Sequence, residues 1–133
     1  KIFEKKIKKI NKKIKFFYTR YVPSNSNKFK KSKLLAFAGI GNPENFFELL
    51  KNYDLNVVEK IRFPDHFKYK KSDINKLMNY AKKNKLNLLT TEKDYYRIKK
   101  EKYKKINYLK IELDILEKVK FMNEIKNIYG KIN

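Results

Sequence analysis

The stretch LLAFAGIGNPENFFELL, residues 34–50, decides how the rest of the chain is read. Leu34 to Ala38 is a short, unbroken apolar run, the pattern of a strand buried on both faces. Gly39 and Gly41 let the backbone turn sharply, and Asn42 offers a helix cap with Pro43 at the first helical position. Phe46, Leu49, Leu50 and Tyr53 then recur at helical spacing, so a helix over 43–53 follows. The stretch predicts a strand, a glycine turn and a helix whose N-terminus leaves the sheet edge.

The same order repeats downstream. NVVEKIRF (56–63) reads as a second strand closed by Pro64, and Ser72 as the cap of a helix carrying Ile74, Leu77, Met78 and Ala81 on one face. LNLLTT (86–91) is a third strand, and EKDYYRI gives at most two helical turns. NYLKIEL (107–113) alternates Leu109, Ile111 and Leu113 with polar residues, as a half-exposed edge strand does. Leu116, Phe121, Ile125 and Ile128 set a last helix at about 116–129. Upstream, Phe3, Ile7, Ile10 and Ile14 make residues 2–13 an amphipathic helix with a lysine-covered outer face. IKFFYTRYV (14–22) reads as a strand ended by Pro23, and PSNSNKFKKSK as a polar connector. Strands alternating with helices predict an α/β fold, a mostly parallel sheet flanked by helices. Residues 1–33 form a leading helix, strand and linker, and residues 34–133 the main α/β lobe.

Composition narrows the classes. A chain of 133 residues with 41% apolar content supports one domain with a core. There is no cysteine, hence no disulfide framework and no thiolate metal site. No apolar run approaches the roughly 20 residues that span a bilayer, and no signal peptide is visible. The chain begins with Lys1 rather than Met, the expectation for a fragment or a processed chain. The formal charge of +21 invites a nucleic-acid partner, yet only Arg20, Arg62 and Arg97 are arginine. Bidentate recognition of phosphate or guanine favours arginine over the point charge of lysine. With Asn and Ile also abundant, the lysines read as solvated helix faces, with attraction to an anionic membrane surface as a consequence.

In parallel α/β sheets ligands gather beyond the carboxyl ends of the strands. Gly39, Gly41, Pro64, Asp65, His66, Thr90, Thr91 and Glu92 all fall there. GIGN at a helix N-terminus can offer backbone N–H groups from Gly39, Gly41 and Asn42 to an anion, or serve only tight packing. It is neither a dinucleotide fingerprint, lacking the third glycine, nor a GxxxxGK[ST] phosphate loop. In RFPDHF, Pro64 stops the strand and leaves Asp65 beside His66, the one histidine of the chain. Such a histidine can act as base or polarise a second carboxylate, and the alternative is an Asx turn with an incidental neighbour. Thr91 and Asp94 fit the capped start of a short helix, with Lys93 and Arg97 four apart on it; a phosphate contact from Lys93 has no support in spacing. No metal-ligand cluster and no GxSxG are present.

Three motifs in register, LLAFAGIGNPENFFELL, RFPDH and LLTTEKD, closely resemble the C-terminal half of the tetraacyldisaccharide 4′-kinases, the lipid A 4′-kinases of Gram-negative bacteria. The likeness covers about residues 14–129. It implies the smaller C-terminal lobe of a two-lobed P-loop-type kinase, whose other lobe carries the phosphate loop, the metal-binding carboxylates and a membrane-anchoring segment. The implied reaction moves the γ-phosphate of ATP, with Mg²⁺, to the 4′-hydroxyl of a tetraacyldisaccharide 1-phosphate at the cytoplasmic face of the inner membrane. The implied partners are ATP, that lipid, the N-terminal lobe and the anionic membrane, with no specific nucleic acid. By the same resemblance Asp65 and His66 lie at the active site, where they orient or tune a carboxylate base on the other lobe. Relatives often carry a second histidine after this pair, where this chain has Phe67. Without the phosphate loop, the 133 residues alone are expected to be inactive. The competing class is a non-enzymatic basic α/β module for nucleic acid, which would need exposed aromatics interleaved with a basic groove.

Overall fold

A computed structural model describes residues 2–98, 103 and 105–130. The elements run in the order α1 (Ile2–Ile10), β1 (Thr19–Pro23), a 3₁₀ turn (Ser26–Phe29), β2 (Leu34–Ala38), α2 (Pro43–Asn52) and β3 (Val57–Arg62). They continue with α3 (Lys71–Lys83), β4 (Asn87–Thr91), α4 (Glu92–Arg97), β5 (Ile106–Leu109), β6 (Ile111–Ile115) and α5 (Lys118–Tyr129). The chain divides into two compact units, residues 23–111 and residues 1–22 with 112–133. The 33/34 division read from composition is a different one.

The larger unit is built on a four-stranded sheet in the order β3-β2-β4-β5, with every neighbouring pair parallel. The central strand β2 is buried throughout, as its apolar run predicts. Alternate residues serve opposite faces. Leu34, Ala36 and Ala38 join Leu89, Leu109 and the α2 residues Phe46, Phe47 and Leu50. Leu35 and Phe37 join Leu88, Ile106, Ile98 and the α3 residues Ile74, Leu77 and Ala81. Helices therefore cover both faces, and the fold is α/β. The connector after Pro23 is less loop-like than its composition, because Ser26 and Phe29 are buried.

Three expectations are corrected. The alternating segment 107–113 is not one edge strand but two, separated at Lys110: β5 closes the sheet, and β6 pairs with β1 in a two-stranded ribbon. The break is held by Asn25, whose Oδ1 accepts from the Lys110 N–H at 2.9 Å and whose Nδ2 donates to the Tyr108 carbonyl at 3.0 Å. Ser72 does not cap α3. Lys70 holds the cap position, so the helix starts two residues earlier, because the Asp73 carboxylate reaches back to the Lys70 N–H at 2.9 Å. The strand read over 14–22 is confined to β1 at 19–23.

In the smaller unit, β1 and β6 are tied by an Arg20–Asp114 ion pair at 2.8 Å. Phe17 packs edge-to-face on Phe121 with centroids 5.2 Å apart, beside an ion pair of Lys15 and Glu124. Helix α1 has the predicted amphipathic pattern but buries no residue, and Phe3 and Ile10 are exposed. Among the described residues no helix is long and apolar enough to cross a membrane.

Candidate functional site at the carboxyl edge

Parallel pairing puts the ends of β2, β3 and β4 at one edge, and the turns that follow them build one hydrogen-bonded cluster. After β2 comes Gly39. A Cβ there would lie 2.9 Å from the Tyr69 hydroxyl, 3.2 Å from Phe67 Cβ and 3.3 Å from Asp94 Oδ1. No glycine in the described residues has a positive φ, so close approach rather than turn geometry explains this glycine. Gly41 is similar, with Asp65 Oδ2 3.2 Å from where its Cβ would be. Asn42 caps α2 as read, accepting from the Asn45 N–H at 3.4 Å, and Pro43 follows at the first position.

After β3 the ladder continues through the Phe63 N–H to the Ala38 carbonyl at 2.8 Å. A four-residue turn then closes from the Phe67 N–H to the Pro64 carbonyl at 3.2 Å. Its third residue, His66, sits in the left-handed region at φ 56°, where glycine or asparagine is the ordinary choice. The His66 N–H donates to Asp65 Oδ1 at 2.8 Å and to the Gly39 carbonyl at 3.1 Å, which binds this turn to the end of β2. The imidazole is 72% exposed, with Nε2 3.7 Å from Asp65 Oδ2. The same left-handed φ, 55°, occurs at Asp54 and Lys85, so it is the exposed imidazole at the carboxyl edge, not the backbone angle alone, that sets His66 apart.

After β4 the chain enters α4 through Thr91, whose Oγ1 accepts from the Asp94 N–H at 3.1 Å, as the capping pattern predicts. Asp94 is fully buried and does more than cap. Its Oδ2 accepts from the Thr91 hydroxyl at 2.8 Å and from the Gly39 N–H at 2.9 Å. Its Oδ1 faces Arg97 Nη1 at 3.2 Å. Arg97 Nη1 also donates to the Gly39 carbonyl at 2.8 Å, and Nη2 lies 3.1 Å from His66 Nδ1. The three turns are thus joined through one buried carboxylate and one guanidinium. Tyr69 completes the enclosure: its hydroxyl is buried beside Asp94, with no hydrogen bond of good geometry to any of the described residues. Burial first, then the neighbouring Asp94 charge, pushes its phenol well above the ordinary range, so it stays protonated.

The cluster unites Gly39, Asp65, His66, Thr91, Asp94 and Arg97. Lys93 lies on the exposed side of α4. Sequence spacing identified Asp94 only as a cap and passed over Tyr69 altogether. The overlooked signal was an aspartate followed three residues later by arginine, directly after a buried strand. Phe37 and Phe46 are buried, and Phe63 packs edge-to-face on Phe37 and Tyr69. They are core rings, not a stacking surface for bases. Phe67 lies in the same aromatic group, 4.7 Å from Phe63.

The sequence profile described as tetraacyldisaccharide-1-P 4′-kinase matches residues 2–129, nearly the whole chain. The chain belongs to that family. A tetraacyldisaccharide 4′-kinase of Pelagibacter ubique is 37% identical over 129 residues, covering 96% of this chain and 41% of the relative. The kinase of Rickettsia typhi is 43% identical over 103 residues, 77% of this chain and 29% of the relative. That of Rickettsia bellii is 47% identical over 77 residues, 58% and 24%. The chain thus spans at most about two fifths of the length of these kinases. No solved structure matches it.

Proposed function

We propose that this chain is the C-terminal lobe of an ATP-dependent lipid kinase that phosphorylates the 4′-hydroxyl of a tetraacyldisaccharide 1-phosphate in lipid A biosynthesis. The observation that carries this reading is the linked set Asp94, Arg97 and His66, which holds a left-handed, exposed histidine beside Asp65 at the carboxyl edge. Membership of the kinase family supports the reaction, and the short coverage of each relative supports a second lobe.

Phosphoryl transfer needs positioning and charge neutralisation more than covalent chemistry. In this reading His66 and Asp65 orient a carboxylate base on the N-terminal lobe, and closure of the two lobes excludes water. The donors of this lobe do not suit Mg²⁺ by themselves: among the described residues no three metal-ligating side chains gather, and Asp94 is enclosed by its own partners. The Gly39 N–H is committed to Asp94, which leaves Gly41 and Asn42 at the exposed start of α2 as the nearest groups for a phosphate. We therefore assign ATP and Mg²⁺ mainly to the other lobe and route no step through the metal. The lysine-rich surface favours the anionic cytoplasmic leaflet, where the lipid substrate resides.

Kinetics of the full-length enzyme test the reading. His66→Ala lowers kcat by about 10²-fold or more with little change in the KM for lipid. The 133-residue chain alone shows no turnover and at best weak ATP binding. Near-normal kcat for both His66→Ala and Asp65→Asn returns the pair to a structural role and leaves this lobe a lid without chemistry, and robust turnover by this chain alone refutes the two-lobe reading.

A further inference from the structure

We propose that Arg97 is a positioning residue that locks His66 in the tautomer with its proton on Nε2, so that His66 works as a hydrogen-bond donor rather than as a base through Nδ1. A guanidinium has only donors and stays protonated. With Arg97 Nη2 3.1 Å from His66 Nδ1, that ring nitrogen must accept through its lone pair. The single proton of a neutral imidazole is then on Nε2. The nearest carboxylate oxygen described there, Asp65 Oδ2, is 3.7 Å away, too far for a good hydrogen bond. The Nε2 proton is therefore on offer to an acceptor brought by another group, a carboxylate or a phosphate oxygen.

Arg97 is itself fixed, which is what makes it a positioning group. Nη1 is shared between the Gly39 carbonyl at 2.8 Å and Asp94 Oδ1 at 3.2 Å, and Asp94 is fully buried. The same Gly39 carbonyl accepts from the His66 N–H at 3.1 Å, so backbone and ring of His66 are both referenced to one atom. The Arg97 side chain is 22% exposed and the His66 side chain 72%, so the enclosed group holds the open one. Lysine cannot substitute: a single ammonium does not span three acceptors in one plane.

The inference rests on the reading that His66 acts in the kinase site, and the test separates the two. His66 is the only histidine, so the ¹⁵N-labelled chain has one imidazole, and long-range ¹H–¹⁵N correlation, followed upward in pH until the spectrum stops changing, identifies the protonated nitrogen of the neutral ring. Wild type gives a single Nε2–H form, and Arg97→Lys gives exchanging tautomers. In the full-length enzyme Arg97→Lys lowers kcat about 10-fold at unchanged lipid KM, a smaller loss than His66→Ala. A wild-type Nδ1–H form or tautomer mixture overturns the inference without any variant having to fold. So does an Arg97→Lys protein with wild-type spectrum and kcat. If those results come from an enzyme that His66→Ala inactivates, the kinase reading stands and the positioning role falls. A fixed Nε2–H form with normal His66→Ala turnover removes the kinase role of His66, and the positioning role with it.

Discussion

Replacing Asp94 by alanine separates a helix cap from a hub. As a cap alone, Asp94 matters no more than Thr91, whose replacement by alanine costs about 1 kcal/mol. In the structure Asp94 does more. Alanine leaves the buried Gly39 N–H without its acceptor, a loss of about 1–3 kcal/mol. The Thr91 hydroxyl can turn elsewhere, so its share is small. Arg97 loses its counter-charge but keeps the Gly39 carbonyl and an edge in water, which holds that contribution to about 1 kcal/mol. Asp94→Ala therefore destabilises the chain by about 2–4 kcal/mol, a melting temperature lower by roughly 6–20 °C for a chain of this size. Urea unfolding of the two alanine variants side by side measures the difference. Equal losses for Asp94→Ala and Thr91→Ala, or a loss under about 1 kcal/mol for Asp94→Ala, refute the hub.

Three further outcomes are expected. His66→Gly is more stable than His66→Ala by about 1 kcal/mol, because only glycine is unstrained at φ 56°, while both lose the same kcat; equal melting temperatures count against the strained turn. The folded-state pKa of Tyr69 lies above its unfolded value, so its contribution is fully present below about pH 10 and is lost as pH rises past it; Tyr69→Phe then shows a shallower fall of melting temperature above that pH, and an unchanged slope refutes the assignment. Asn25→Ala costs about 1–2 kcal/mol by freeing the Lys110 N–H and the Tyr108 carbonyl, and a neutral effect in urea unfolding removes Asn25 as the cause of the β5–β6 break.

The central strand was legible because a strand buried on both faces is a continuous apolar run, as Leu34–Ala38 is; β4 keeps only Leu88 and Leu89 of such a run before the buried Thr90 and Thr91, and β3 alternates half-buried with exposed residues. The break at Lys110 was not. Leu109, Ile111 and Leu113 keep a period of two across it, and its cause is a side chain 85 residues away. The start of α3 was misread because serine outranks lysine as a cap, whereas Asp73 reaching back to the Lys70 N–H sets the boundary. At the site, the position of Asp65 and His66 followed from the strand stop at Pro64. The left-handed His66 had no compositional cue, since Gly or Asn would have been the cue. Gly39 was singled out for the wrong reason: the turn tolerates a side chain, but the neighbours leave no room for one.

The Ser24 N–H donates to the Lys110 carbonyl at 2.9 Å, next to the Asn25 bonds that fix the break. The chain therefore enters and leaves residues 23–111 at one spot, with entry and exit stitched together. A segment whose two ends already touch can be lifted out by gene surgery without stretching its backbone, and its ends can be rejoined by a short linker to make a circular permutant. Both apolar clusters lie within those bounds, so the excised piece takes its whole interior with it. In evolutionary terms the same closure makes residues 23–111 an insertion-ready cassette, able to be accepted into a host loop at little conformational cost.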